Sequence, residues 1–158
     1  MQLFEEFQAD DHVYIYPSSR KFYPQELPQI KEELEAFKNQ MLEAFDIQME
    51  IDLPYERFMV FAIHFEDKSQ MNKVIDQTAS CILKLEAQYD ISLLDRMNVS
   101  FKQGQYIQYK ELKDFKKLIK NRSVTAKTVV FNNLITKLQD YRENWELPIE
   151  ESWYDRYL

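Results

Sequence analysis

One glycine, one cysteine and two histidines in 158 residues set the first limits on this chain. A phosphate-binding loop needs several glycines, so that backbone amides can wrap the phosphates, followed by Lys and Ser or Thr. With Gly104 alone that loop cannot be built, and neither ATP binding nor ATP turnover by such a device is expected. The same shortage rules out a G-x-S-x-G nucleophile turn. A lone Cys81 permits no disulfide framework and no multi-cysteine zinc or iron–sulfur site. His12 and His64, with scattered carboxylates, are a weak basis for a metal centre. No cofactor and no resident metal are expected.

Long apolar runs are also missing. The longest nearly uncharged stretch, Phe58 to Phe65, has eight residues, far short of the ~20 that span a bilayer. The opening residues Met1-Gln2-Leu3-Phe4-Glu5-Glu6-Phe7 carry neither the basic start nor the apolar stretch of a secretion signal. With a single thiol, these features point to the cytoplasm and to a chain without a transmembrane segment.

What is present is ample material for a core: 45% hydrophobic and 15% aromatic residues, at a length suited to one domain or two very small ones. His12 to Tyr16 reads as a strand closed by Pro17. Pro24 suits a first helical turn, where its missing amide hydrogen costs nothing. From there Leu27, Ile30, Leu34, Phe37, Met41 and Phe45 recur at steps of three and four, one stripe on a helix. Ile47, Met49 and Ile51 alternate with polar residues, the period of a half-exposed strand. Phe58 to Phe65 is apolar on both faces, which belongs at the centre of a sheet. Ser69 is the expected N-cap of a second helix carrying Val74, Thr78, Ile82, Leu85 and Tyr89 inward. Two short strands, 98–101 and 106–109, flank the one glycine and predict a hairpin. A helix over 110–120 and a strand over 128–131 follow, then a tail containing Trp145, Pro148, Trp153 and Tyr154.

The order strand, helix, strand, strand, helix, strand predicts an α+β fold: a ferredoxin-like βαββαβ antiparallel sheet with helices on one face. This core is assigned to residues 1–97, its last strand at 98–102. Residues 98–158 are expected to form a hairpin–helix–strand module and an aromatic tail packed on the core, covering the sheet face that carries Tyr14 and Tyr16.

Leu94-Asp95-Arg96-Met97, Val130-Phe131-Asn132-Asn133-Leu134, Trp145-Glu146-Leu147-Pro148 and Ser152-Trp153 resemble a small uncharacterised family from Bacteroidetes-type bacteria, whose members are often labelled "ABC transporter ATPase". Val13-Tyr14-Ile15-Tyr16 and Arg57-Phe58 extend the resemblance over nearly the whole chain. Where the family pattern reads Gly-Cys-Ser-Ile-Asp, this chain has Asn72-Lys73-Val74-Ile75-Asp76, so no role of that cysteine transfers. The ATPase label conflicts with the absent phosphate loop. Residues 105–145 also look similar to small GYF-like modules, which implies binding of extended peptides, although the aromatic-glycine dipeptide of those modules is missing.

Cys81 sits by the buried stripe of the second helix with only Lys84 near in sequence, the setting of an inert thiol rather than a nucleophile. His64 ends the central strand and His12 begins the first; hydrogen-bonded strand-end histidines are commoner than proton-transfer groups. Adjacent carboxylates such as Glu32-Glu33 are expected by chance among 27 acids, and no spacing singles out an acid–base pair. No catalytic residue is identified.

Charge is the most uneven feature. Residues 96–127 hold nine Lys/Arg and two acids, a net of +7, while the rest of the chain carries −14. Lys110, Lys113, Lys117 and Lys120 fall on one helical stripe, either a patch for an anionic partner or a solvated face answering the protein's own acidic surface. The first ninety-five residues carry a net −11, which repels phosphate and argues against nucleic acid. The expected function is a non-enzymatic protein-interaction module, its occupant a protein partner or a second copy. The alternative is a small-ligand site or enzyme using a pocket between sheet and tail, where Tyr14, Tyr16, His64 and Trp145 meet. Attachment through the lysine stripe is the third reading.

Overall fold

The apolar run 58–65 takes the central position that its two-faced burial demands. In the computed structural model, which describes residues 4–158, β3 (Phe58–Phe65) lies between β1 (His12–Pro17) and β2 (Ile47–Asp52), antiparallel to both. Side chains alternate across a strand, and the two faces of β3 enter two different cores. Met59, Phe61, Ile63 and Phe65 pack with Tyr16, Met49, Ile30, Leu34, Ile82 and Leu85. Ile30 and Leu34 come from α1 (Leu27–Ala44), Ile82 and Leu85 from α2 (Met71–Tyr89). Phe58, Val60 and Ala62 look the other way with Val13 and Ile15.

A second antiparallel sheet covers that other face. It has the order β5 (Tyr106–Lys110), β4 (Val99–Gln103), β6 (Val129–Phe131), β7 (Glu146–Pro148). Phe131 and Ile107 turn toward the first sheet, where Leu138 and Trp145 join them. Val99, Phe101 and Val130 turn outward to Phe115, Val124 and Ile149. Phe115 belongs to α3 (Leu112–Lys120), and Leu138 opens α4 (Leu138–Asn144). The result is a mixed α+β protein in four layers: two helices, a sheet, a second sheet, and α3 with the last residues.

The expected fourth strand of the first sheet is a correction. Val99–Gln103 pairs with β5 and β6 in the second sheet, and the first sheet keeps three strands. The edge of β1 it would have joined is occupied: Val13 N–H donates to the Thr136 carbonyl at 3.0 Å, and His12 bridges Lys137. Residues 91–98 meanwhile carry the chain away from α2.

Local starts and stops also differ from the sequence reading. Residues 24–26 form turns and α1 begins at Leu27, with Pro28 in its first turn. Asp67, not Ser69, caps the approach to α2: its carboxylate accepts from Ser69 N–H at 3.0 Å and from Ser69 Oγ at 2.6 Å. Gly104, at φ +64°, makes the two-residue turn of the β4–β5 hairpin as expected.

Candidate functional site

The first sheet divides the four residues proposed to share a pocket. Tyr14 and Tyr16 lie on the helix-facing side, packed in the first core. Trp145 lies on the opposite side, in the core between the sheets, and His64 has the parity of that side. The cause is the two-residue period of β1, which turns Val13 and Ile15, not the tyrosines, toward the C-terminal segment. The tail therefore covers the face of Val13, Ile15, Phe58, Val60 and Ala62, and the expectation that it covers Tyr14 and Tyr16 is corrected. Burial raises the pKa of both hydroxyls, which keeps them protonated.

His64 has its own partners at the sheet edge. Its Nδ1 is 2.7 Å from Asp11 Oδ1 and its Nε2 is 3.1 Å from Glu66 Oε1. The bond to Asp11 raises the imidazole pKa above its ordinary value. His12 stacks instead near Tyr14 and meets Phe65 edge-on, so the histidines do not form one site. Among the described residues no three His, Cys, Asp or Glu side chains are placed to hold a metal ion. Burial pushes the Cys81 thiol up to about 11, which suppresses the thiolate and fits a structural role.

Three of the four lysines expected on one helical stripe share a helix, and Lys110 is a correction, because α3 starts at Leu112 and residue 110 is taken by the hairpin strand β5. Lys113, Lys117 and Lys120 are exposed on α3, while Lys110 stands at the end of β5. Lys113 lies 3.5 Å from Glu111 and Lys117 3.9 Å from Asp114. Other bases of the positive segment reach the chain's end: Lys102 meets Glu146 at 2.5 Å and Lys127 pairs with Glu150. Among the described residues, none of these lysines pairs with the acidic residues 1–95.

The sequence reading missed an apolar cleft on the surface. A groove of about 390 Å³ runs over the outer face of the second sheet. Val130 and Leu147, opposite one another in β6 and β7, line it together with Leu112, Met97, Leu134, Trp153 and Tyr154. Met97, Leu134 and Trp153 are 64%, 56% and 50% exposed, a cluster of large apolar side chains left in water. Each is held there by local hydrogen bonds. Asp95 accepts from Met97 N–H at 3.2 Å and from Asn98 Nδ2 at 3.1 Å, fixing the turn before β4. Asn132 Oδ1 accepts from Leu134 N–H at 3.3 Å in the turn after β6. Ser152 Oγ donates to the Ile149 carbonyl and accepts from Tyr154 N–H, and Arg156 lies over the Trp153 ring at 4.0 Å.

Arg96, Asn133 and Glu151 are among the polar residues that line the groove, and the Arg96 guanidinium itself lies over the Tyr16 ring, 5.4 Å from its centre. The placement follows from topology: β4 and β6 are antiparallel, with Phe101 opposite Val130, so the lead into β4 meets the exit from β6. β7 ends beside Val129, the start of β6, and Glu151 follows it there. Asn133 is only 3% exposed, and its Oδ1 accepts from the buried Trp145 Nε1–H at 2.9 Å. Apolar exposures scattered over three turns have no period, so no sequence window signals this groove.

No family profile, no curated protein and no solved structure matches this chain.

Proposed function

We propose that this chain is a non-enzymatic interaction module of the cytoplasm, whose binding site is the groove over the second sheet. The carrying observation is the exposed trio Met97, Leu134 and Trp153 around an apolar cleft. Large apolar side chains left in water at one concave place mark a site that a partner covers. An apolar segment of a partner protein suits the cleft, whose floor holds the cross-strand pair Val130 and Leu147. In this reading the helix-backed half, β1 to α2, is a split βαβ unit whose last strand has passed to the second sheet.

Selection of random twelve-residue peptides displayed on phage tests this. Enrichment of peptides with large apolar residues is expected on the wild type and lost on Leu134→Glu and on Trp153→Ala, two exposed positions that leave the cores intact. No enrichment, or equal binding by the variants, overturns the groove as the site.

A further inference from the structure

Among the described residues the two sheets present four edge strands, β1, β2, β5 and β7, and three of them are blunted. Val13 N–H on β1 donates to the Thr136 carbonyl. The Ile107 carbonyl of β5 accepts from the Arg57 guanidinium. On β7, Pro148 has no N–H to offer. The edge of β2 is different. Glu66 N–H donates to the Asp46 carbonyl at 3.1 Å, and Ser18 N–H to the Arg57 carbonyl at 2.9 Å. These two bonds set the alternation of the ladder: Gln48, Glu50 and Asp52 bond to β3, while Ile47, Met49 and Ile51 turn their N–H and C=O groups to the free edge. Among the described residues no backbone group bonds to these six. Lys38 closes over them. It belongs to α1, on the sheet face where Met49 packs, whereas Glu50 has the opposite parity. Their contact at 3.4 Å passes round the edge, because β3 fills the other side of β2. Alongside, a cleft of about 340 Å³ separates α1 from the end of β2, with Leu27, Leu34, Ile51 and Leu53 in its wall. The strand and its lead carry acids and no base: Asp46, Glu50 and Asp52 share one parity.

We infer that the β2 edge is a second docking site, taken by an extended segment of a partner protein that alternates basic and apolar side chains. The segment adds a strand to the first sheet through the six outward backbone groups. Its apolar side chains face α1 and enter the cleft, and its bases face Glu50 and Asp52. Lys38 holds the place of one such base, so docking exchanges one ion pair at Glu50 for another. A second copy of β2 fits worse: paired antiparallel about Met49, it would set Asp46 against Asp52, like charges directly opposed. The site belongs to the first sheet and stands apart from the groove on the second.

The probe is the end-blocked peptide Val-Arg-Val-Arg-Val-Arg-Val, titrated into the isotope-labelled full chain and followed by amide NMR, with the analogue bearing Glu for Arg as control. Shifts and slowed hydrogen exchange are expected at the amides of Ile47, Met49 and Ile51, and added salt should weaken binding. Lys38→Ala removes the competing base and should tighten binding about threefold, whereas Glu50→Lys should weaken it about tenfold. Circular dichroism verifies the fold of each variant. No shift along β2, equal binding of the Glu analogue, or weaker binding by Lys38→Ala overturns the inference. Shifts confined to Leu134, Leu147 and Trp153 overturn it too, and would place the peptide in the groove. Dimerisation of Lys38→Ala without peptide, read by sedimentation velocity, would assign the edge to a second copy and overturn it as well. Phage selection at the groove is decided separately, by Leu134→Glu and Trp153→Ala.

Discussion

Asp11 Oδ1 stands 2.7 Å from His64 Nδ1, joining the turn before β1 to the penultimate residue of β3. Asp11 is buried, its second oxygen accepts from Gln8 N–H at 2.7 Å, and its carbonyl accepts from Leu138 N–H. One carboxylate thus ties the N-terminal turn, the central strand and the start of α4 together.

The first prediction concerns pH. The bond to Asp11, with further attraction from Asp11 and Glu66 opposed by desolvation, raises the His64 pKa above 6.5. The folded state then holds this proton more tightly than the unfolded chain. Its stabilising contribution is complete below about pH 6.5 and is lost as pH rises through the raised folded value. His12 acts in the opposite sense, since burial lowers its pKa and its contribution weakens as pH falls. The comparison must therefore be made residue by residue. NMR titration of the imidazole should place His64 above 6.5 and move it down in Asp11→Asn. The stability gap between wild type and His64→Gln should narrow as pH rises. A His64 midpoint at or below 6.5 contradicts this account.

The second prediction concerns the aromatic centre between the sheets. Trp145 is 5% exposed, with Phe58, Phe131 and Tyr141 each 4.9 Å away between ring centres. Aromatic pairs of this kind contribute about 0.5–1.5 kcal/mol each beyond their buried area. Trp145→Ala should cost about 3–5 kcal/mol through the cavity it leaves. Trp145→Phe keeps most packing but strands the Asn133 carbonyl, a loss of about 1–3 kcal/mol. Urea unfolding measures both, and a Phe variant as stable as wild type would show that the Asn133 bond contributes nothing. Trp153, half exposed, should cost little when truncated.

Elements with a strong period were legible in the sequence, and those made by tertiary pairing were not. The stripes of α1 and α2 and the alternation of β2 fix those elements because their own side chains carry the pattern. β7, three residues ending in Pro148, exists because β6 offers it an edge, and α4 is a short helix held by Leu138 and Tyr141. Neither has a local signal strong enough to compete with a tail reading. The choice of sheet for β4 was invisible for the same reason: its residues suit either edge, and Thr136–Lys137 decides by occupying β1. Of the candidate site residues, Lys113, Lys117 and Lys120 were readable as a stripe because helical spacing alone defines it, while Lys110 was misplaced because the pairing of β5 with β4 holds it in a strand. The supposed pocket failed because face assignment depends on which elements cover a sheet. The groove was hidden because three separate turns build it.

The last prediction separates the lysine stripe from the groove. Lys113, Lys117 and Lys120 point away from Phe115, the buried residue of α3, and their ion pairs are exposed ones with Glu111 and Asp114. Exposed pairs contribute little because water and salt screen them. Changing Lys110, Lys113, Lys117 and Lys120 to Gln should leave the melting temperature nearly unchanged and peptide selection by the groove intact. If the stripe were an anchor for anionic surfaces, the wild type would sediment with phosphatidylserine-containing vesicles at low salt and be released as the screening length shrinks below about 8 Å. The net charge of −14 on the remainder of the chain opposes approach to such a surface. We therefore expect no sedimentation by wild type or variant at physiological salt. Salt-sensitive binding by the wild type that the quadruple variant loses would make the stripe a second site, and a marked loss of stability would make it structural.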